Sequence, residues 1–293
     1  MLNPNAVLIG SAPMANGSRA GCGTGADILI TQGRASSLSC SEGGRSSKKG
    51  GCRVAETNIK KDIQILFESL CVTQQPWRVF SDFIRMSACS ISNSVDYSKK
   101  HHEARDKMFK GCLSTFNGSM EKPSELFGLV TMALEENPDQ DFLGDMYMTL
   151  GLGSHIKGQF FTPYHVAKLL SQIDDIPTGS SWFSVVDPAC GAGATLIGMA
   201  NNLKEKGINY QKRTLFVGQD IDDVTALMCY VQMSLLGMPG YVVIADTLSN
   251  PIVGEPIQPV EQESQDIWYT PMFYDPLWLV RRGANIGRRK KPA

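Results

Sequence analysis

The stretch Ser181-Trp182-Phe183-Ser184-Val185-Val186-Asp187-Pro188-Ala189-Cys190-Gly191-Ala192-Gly193-Ala194 decides the fold. Its first seven residues read as a short buried strand. The glycine-rich segment after them reads as a tight turn into a helix over about 195–206. Two more units follow: residues 214–219 (TLFVGQ) as a second strand, 222–236 as a helix, and 241–246 (YVVIAD) as a third strand. Strand, helix, strand, helix, strand predicts an α/β fold with a parallel sheet and right-handed crossovers.

Each strand ends in polar residues. Asp187 precedes Gly191 and Gly193; the second strand runs into Gly218-Gln219-Asp220-Ile221-Asp222, and the third into Ala245-Asp246-Thr247-Leu248. Open α/β sheets bind ligands at the carboxyl edge, and glycines there let the backbone approach the ligand. A carboxylate after the second strand suits ribose hydroxyls. One after the third can accept from the exocyclic amine of a nucleobase. The three ends predict a nucleoside-containing cofactor. The third glycine of a nicotinamide fingerprint would fall on Leu196, and no G-x-x-x-x-G-K-[ST] loop is present. An acid ahead of the glycines suits a positive centre better than a pyrophosphate. S-adenosylmethionine carries a sulfonium, an ammonium and an adenosine without phosphate, so the pattern favours it.

Upstream, apolar residues recur at helical spacing: Ile59, Ile63, Leu66 and Leu70, then Trp77, Phe80, Phe83 and Ile84 after Pro76. Further helices are expected over about 95–116 and 123–136, making residues 54–150 an α-helical domain. Residues 151–280 form the α/β domain, with a helix (YHVAKLLSQI) opened by Thr162 as N-cap and Pro163 in its first turn. Residues 1–53, dense in Gly, Ser, Ala and Lys/Arg, cannot bury enough apolar surface to offset the entropy of ordering them, and are expected to be a largely disordered tail.

The 293 residues carry a formal net charge of −1, unevenly placed. Residues 1–53 have a net +4 and residues 281–293, a basic tail, a net +6, leaving −11 between them. Basic ends on an acidic body suit a polyanion such as nucleic acid, although solvated tails would look the same. No apolar run approaches the ~18–20 residues of a membrane span, and no secretory leader opens the chain, so a cytoplasmic location is expected. The eight cysteines form no C-x-x-C pair and the four histidines complete no zinc spacing, so no metal is expected. Cys190 has no base beside it in sequence and reads as packing.

Gly158-Gln159-Phe160-Phe161-Thr162-Pro163, DPACGAGA, GQDID and ADTL, in that order, resemble the N6-adenine DNA methyltransferases, in particular the modification subunit of type I restriction systems. The resemblance spans roughly residues 143–251, and more loosely the helices from residue 55. It implies a partial Rossmann-like methyltransferase sheet behind an α-helical domain, with S-adenosyl-L-methionine as cofactor. It also implies adenine-N6 methylation of DNA and a specificity subunit as partner. By the same resemblance, Phe160, Thr162 and Pro163 line the methionine end, and Asp187 with the Gly191 and Gly193 backbone holds the amino-acid portion. Asp220 binds the ribose, Ile221 packs on the adenine, and Asp246 accepts from its amine. Plainer roles stand beside these: core for the phenylalanine pair, a helix cap for Asp220, a turn for Asp246.

The family's catalytic motif is Asn/Asp-Pro-Pro-aromatic after the fourth strand. The side chain and a proline carbonyl accept the N–H bonds of the target amine and aim its lone pair at the methyl group, while the ring stacks on a flipped base. Asp275-Pro276-Leu277-Trp278 keeps three of the four features, so Asp275, Pro276 and Trp278 are the candidate catalytic residues. Leu277 replaces the second proline, and Pro271 argues against a central strand just ahead. The sheet is expected to be truncated after its third or fourth strand. Two alternatives stand beside DNA methylation: a cofactor- and DNA-binding subunit without transfer, and a methyltransferase with a non-DNA acceptor.

Overall fold

The computed structural model describes residues 58–152, 161–173, 176–177 and 180–289, with the backbone alone for 6–8 and 286–289. In chain order the strands and helices are β1 (Ala6–Leu8), α1 (Ile59–Leu70), α2 (Pro76–Val95), α3 (Lys99–Cys112), α4 (Glu121–Glu136), α5 (Phe142–Thr149) and α6 (Tyr164–Ile173). Then come β2 (Phe183–Asp187), α7 (Ala194–Glu205), α8 (Tyr210–Arg213), β3 (Thr214–Asp220), α9 (Asp223–Leu235) and β4 (Gly240–Ile244). A hairpin of β5 (Val253–Glu255) and β6 (Gln258–Val260) leads to β7 (Asp266–Tyr269) and α10 (Pro276–Arg289).

Local chemistry explains the helix ends. Asn58 caps α1 by accepting the Lys61 N–H, and α2 opens on Pro76, whose missing N–H would have had no partner there. The helix expected over 95–116 begins only at Lys99, because Asp96 ends α2 and accepts the Ser98 N–H. It ends in a 3-10 turn over Leu113–Phe116 that Asn117 closes at φ 54°. The eight-residue α5 is too short for periodicity to reveal.

The sheet runs β1-β2-β3-β4-β7, with the first four strands parallel. Alternation assigns its faces. Phe183, Val185, Phe216, Val242 and Trp268 look into one core with α2, α7 and α9; Leu215, Val217, Tyr241, Val243 and Ile267 look into a second with Phe273 and Trp278. The first core also holds Phe67, Phe80 and Tyr147, so the helical segment and the sheet share one hydrophobic interior.

Ion pairs reinforce that junction. Arg85 reaches Asp223 at 2.8 Å, and the buried Arg105 donates to the Ile267 carbonyl at 2.6 Å while lying 4.1 Å from the centre of the Trp268 ring. His101 is buried between Asp96 (2.6 Å) and Glu261 (3.2 Å). Among the described residues no helix is long and apolar enough to cross a membrane, and no group of three His, Cys, Asp or Glu could hold a metal ion.

The strand that follows β4 in the main sheet, β7, is antiparallel to it and lies at the sheet's edge, consistent with Pro271 following at once. Residues 6–8 pair with β2, while the rest of 1–57 lies outside the described residues. One expectation is corrected here: residues 281–289 are the body of α10, not a tail. Arg281 and Arg282 fold back over the rings of Trp278 (4.6 Å) and Phe273 (3.9 Å).

Candidate functional site

β2, β3 and β4 are parallel and in register, so their carboxyl ends open onto one edge. The first end is a turn built around Asp187. That residue is fully buried; one carboxylate oxygen accepts the Ala189 N–H at 3.0 Å and the other the Thr195 hydroxyl, so it shapes the turn from inside. The Gly193 N–H closes the turn on the Cys190 carbonyl at 2.8 Å.

Glycine is required at two positions of this turn. Gly191 and Gly193 have φ of +52° and +101°, where L side chains are rare. A Cβ on Gly193 would stand 2.9 Å from the Cys229 sulfur. The Cys229 thiol and then burial hold the neighbouring Cys190 thiol well above its usual range, which fits packing and not nucleophilic chemistry.

The second end is tied to the first. Asp220 accepts the Gly191 N–H at 2.9 Å on one oxygen and the Asp222 N–H at 2.9 Å on the other. The cap of α9 is instead Asp222, which accepts from Val224 and Thr225, so Asp220 is not merely a helix cap. Burial holds the Asp220 carboxyl above the usual carboxylate range. Ile221 is 43% exposed beside it, an apolar surface open to a planar ligand.

The third end closes the group. The Ala245 N–H donates to the Asp220 carbonyl at 3.0 Å, and the Thr247 hydroxyl donates to the Pro188 carbonyl. Asp246 heads a turn, accepting the Leu248 N–H at 2.9 Å, and that N–H holds its carboxyl below the usual range. Asp246 therefore stays ionised at neutral pH. The turn role and an acceptor role are compatible, since a carboxylate offers about four lone-pair directions.

The wall opposite comes from the segment before α6. The Phe161 ring reaches within 3.4 Å of the Cβ position of Gly191 and lies 5.2 Å from the Tyr147 ring. Thr162 is half-buried and Pro163 exposed; the Pro163 carbonyl accepts from Val166 and Ala167, so α6 starts just past the proline. Phe160 and His155 lie outside the described residues, and His165 is exposed.

The candidate catalytic residues are not brought to this edge. The register Ile244↔Asp266 and Tyr241↔Tyr269 sends β7 back toward the start of β4, where Thr270 donates to the Gly240 carbonyl. DPLW follows at that amino edge. Asp275 accepts the Leu277 N–H at 2.9 Å and Pro276 is the first residue of α10. Trp278 is fully buried, its indole N–H on the Gln211 carbonyl at 2.9 Å and its ring edge-on to Trp182. In this structure these residues start a helix and fill a core, because an antiparallel β7 reverses the chain.

Several site-shaping residues were given no role by the sequence reading. Thr195, Thr247 and Gln219 hold the loops through side-chain hydrogen bonds; Gln219 donates to the Ala245 and Asn250 carbonyls and accepts the Ile252 N–H. Gln232 donates to the Ala192 carbonyl. A signal was available for Gln232, a lone amide within the otherwise apolar run ALMCYVQM, since a buried amide must find partners.

Residues 138–279 match the model of the N-6 DNA Methylase family. Two curated relatives come from Methanocaldococcus jannaschii. The type I restriction enzyme MjaVIII methylase subunit is 29% identical over 180 residues, 58% of this chain and 29% of that protein. The MjaIX methylase subunit is 27% identical over 118 residues, 39% of this chain and 20% of that protein. The matches thus span under a third of the length of these relatives. Among solved structures, a protein described as a class I S-adenosylmethionine-dependent methyltransferase from Listeria monocytogenes aligns with a TM-score of 0.38 and 16% identity, over 68% of this chain and 56% of that one.

Proposed function

We propose, for a chain whose residues 138–279 match the model of the N-6 DNA Methylase family, that it binds S-adenosyl-L-methionine at the carboxyl edge of its sheet and serves adenine-N6 methylation of DNA as a modification subunit. The observation that carries this reading is the mutual tethering of the three strand ends around the Gly191–Gly193 turn, centred on the bond from the Gly191 N–H to Asp220. The residues fit the cofactor. The turn's two glycines hold left-handed φ that L side chains rarely adopt, and the strand ends carry two carboxylates and one exposed isoleucine, residue types suited to a ribose, an amine and a ring. When bound, the cofactor supplies an electrophilic methyl group.

The chain's own residues bind and orient. Asp220 keeps lone pairs for ribose hydroxyls, Asp246 accepts from the adenine amine, Ile221 covers the adenine face, and the Phe161 segment closes the other side. Asp187 acts one step back, through the turn it shapes. DNA and a specificity subunit are the partners in this reading, as the relatives' description as subunits of type I enzymes suggests.

A second reading is favoured by one observation, the burial of Trp278 at the far edge. With DPLW unavailable to a flipped base, the chain holds the cofactor and a partner completes transfer. Calorimetric titration with S-adenosylmethionine, followed by transfer of labelled methyl to unmethylated duplex DNA, separates these readings. The expected result is binding that Asp220→Ala weakens at least tenfold. No binding by the folded wild type overturns the cofactor assignment. Label recovered as N6-methyladenine from the chain alone selects the enzyme; binding without label selects the cofactor-holding subunit.

A further inference from the structure

We infer that Gln232, in the middle of α9, is a positioning residue for the cofactor turn, holding the Ala192 carbonyl inward so that the turn keeps its ligand-ready shape. This rests on the cofactor reading above.

Gln232 is fully buried, and its amide joins three segments. The Nε2 group donates to the Ala192 carbonyl at 2.9 Å and to the Asp141 carboxylate at 2.7 Å. The Oε1 atom accepts the Leu143 N–H at 3.1 Å. These partners fix which way the amide points: a backbone N–H demands the oxygen, and a carbonyl and a carboxylate demand the nitrogen. One side chain therefore locks the cofactor turn to the first turn of α5.

The Ala192 peptide is the part of the turn most in need of a restraint. It sits between two glycines in left-handed conformations, and glycine imposes no Cβ barrier against rotation of the neighbouring peptide planes. Asp187 holds the entrance of the turn through Ala189, and Asp220 holds the Gly191 N–H. The Gly193 N–H is bound within the turn itself, to Cys190. Gln232 supplies the tether from outside the turn to the carbonyl between the two glycines. Without it a buried carbonyl is left unpaired, and its plane can rotate toward solvent and the ligand space. The bond to Asp141 serves α5 instead. Asp141 caps that helix by accepting the Gly144 N–H at 2.9 Å, and the cap survives whatever Gln232 does at the turn.

The two arms of the amide can be separated experimentally. Gln232→Met keeps the length and removes every hydrogen bond; Asp141→Asn alters the α5 arm and leaves the Ala192 bond intact. Hydrogen–deuterium exchange of the peptide covering 187–194 is read in the ligand-free protein, alongside the Kd for S-adenosylmethionine by calorimetry. Gln232→Met is expected to speed exchange in that turn at least tenfold while the amides of 214–220 stay protected, and to raise the Kd at least tenfold. Asp141→Asn should change the turn's exchange and the Kd by less than threefold. Should Gln232→Met not fold, Gln232→Asn, one methylene too short to span the gap, is expected to give the same pattern. Unchanged exchange in the turn, or equal changes from Asp141→Asn, overturns the inference. Faster exchange in the variant with no cofactor binding by the wild type overturns the cofactor reading instead and leaves the tether standing.

Discussion

The two edges of the sheet use the same residue types for opposite ends. At the carboxyl edge, Asp187, Asp220 and Asp246 bind backbone N–H groups of loops that curl around two left-handed glycines, and apolar Ile221 is left in the open. At the amino edge, Asp275 binds an N–H to start a helix, and aromatic Trp278, Trp182 and Phe273 are closed into a core with arginines over two of them. One edge ties polar loops to one another; the other packs aromatic rings together. An Asp-Pro-x-aromatic string means one thing at the first edge and another at the second, and strand direction decides which edge it reaches.

The sharpest way to break this contrast is at Trp278. Trp278→Ala removes a fully buried indole and should destabilise the fold by ~3–5 kcal/mol, read by urea unfolding. The milder Trp278→Phe and Asp275→Ala should retain wild-type affinity for S-adenosylmethionine. A folded Asp275→Ala protein that has lost a methyl transfer shown by the wild type would place catalysis at the amino edge after all.

A smaller effect is expected from Gly193→Ala, at the other edge. At φ +101° with the Cys229 sulfur 2.9 Å from the new Cβ, the strain should be ~1–3 kcal/mol. It should fall on the cofactor turn, raising the Kd at least tenfold with a modest drop in Tm. An unchanged Kd would mean that the turn is not the ligand cradle.

The smallest effect concerns the buried acid behind the turn. Burial pushes Asp141 up to about 6, so the folded protein binds its proton more tightly than the unfolded chain. The ionised form above that pH is therefore a stability cost, and the penalty eases as the pH falls from 7 to 5. Relative to Asp141→Asn, the wild type should gain ~1 kcal/mol over that interval, as measured by denaturant melts at the two pH values. A parallel response of the two proteins would show that Asp141 titrates as an exposed carboxyl.

Much of the carboxyl edge was legible because its signals are local. A glycine at positive φ, an acid at a strand end and a short apolar run each act over a few residues, and the strand limits moved by no more than two residues. Thr247 and Gln232 were not legible because each bonds to a group far away in sequence: 40 residues from Gln232 to Ala192, and 59 from Thr247 to Pro188. Phe161 supplies a ring beside Gly191, a contact the sequence reading did not assign, while Phe160 lies outside the described residues. The placement of DPLW was not legible for a related reason. Nothing within four residues reports whether the strand ahead runs with or against its neighbour.

By itself the amino-acid sequence determined the alternation of strands and helices, the glycine turn and its acids, and the class of ligand these suit. All of these follow from steric preferences and hydrogen-bond needs satisfied by near neighbours. Only the tertiary structure decided the direction and edge position of β7, the merging of helical and sheet cores, and the partners of each buried carboxylate and amide. These depend on which of several distant hydrogen-bonding groups lies closest once the apolar faces have packed, and that competition has no local signature.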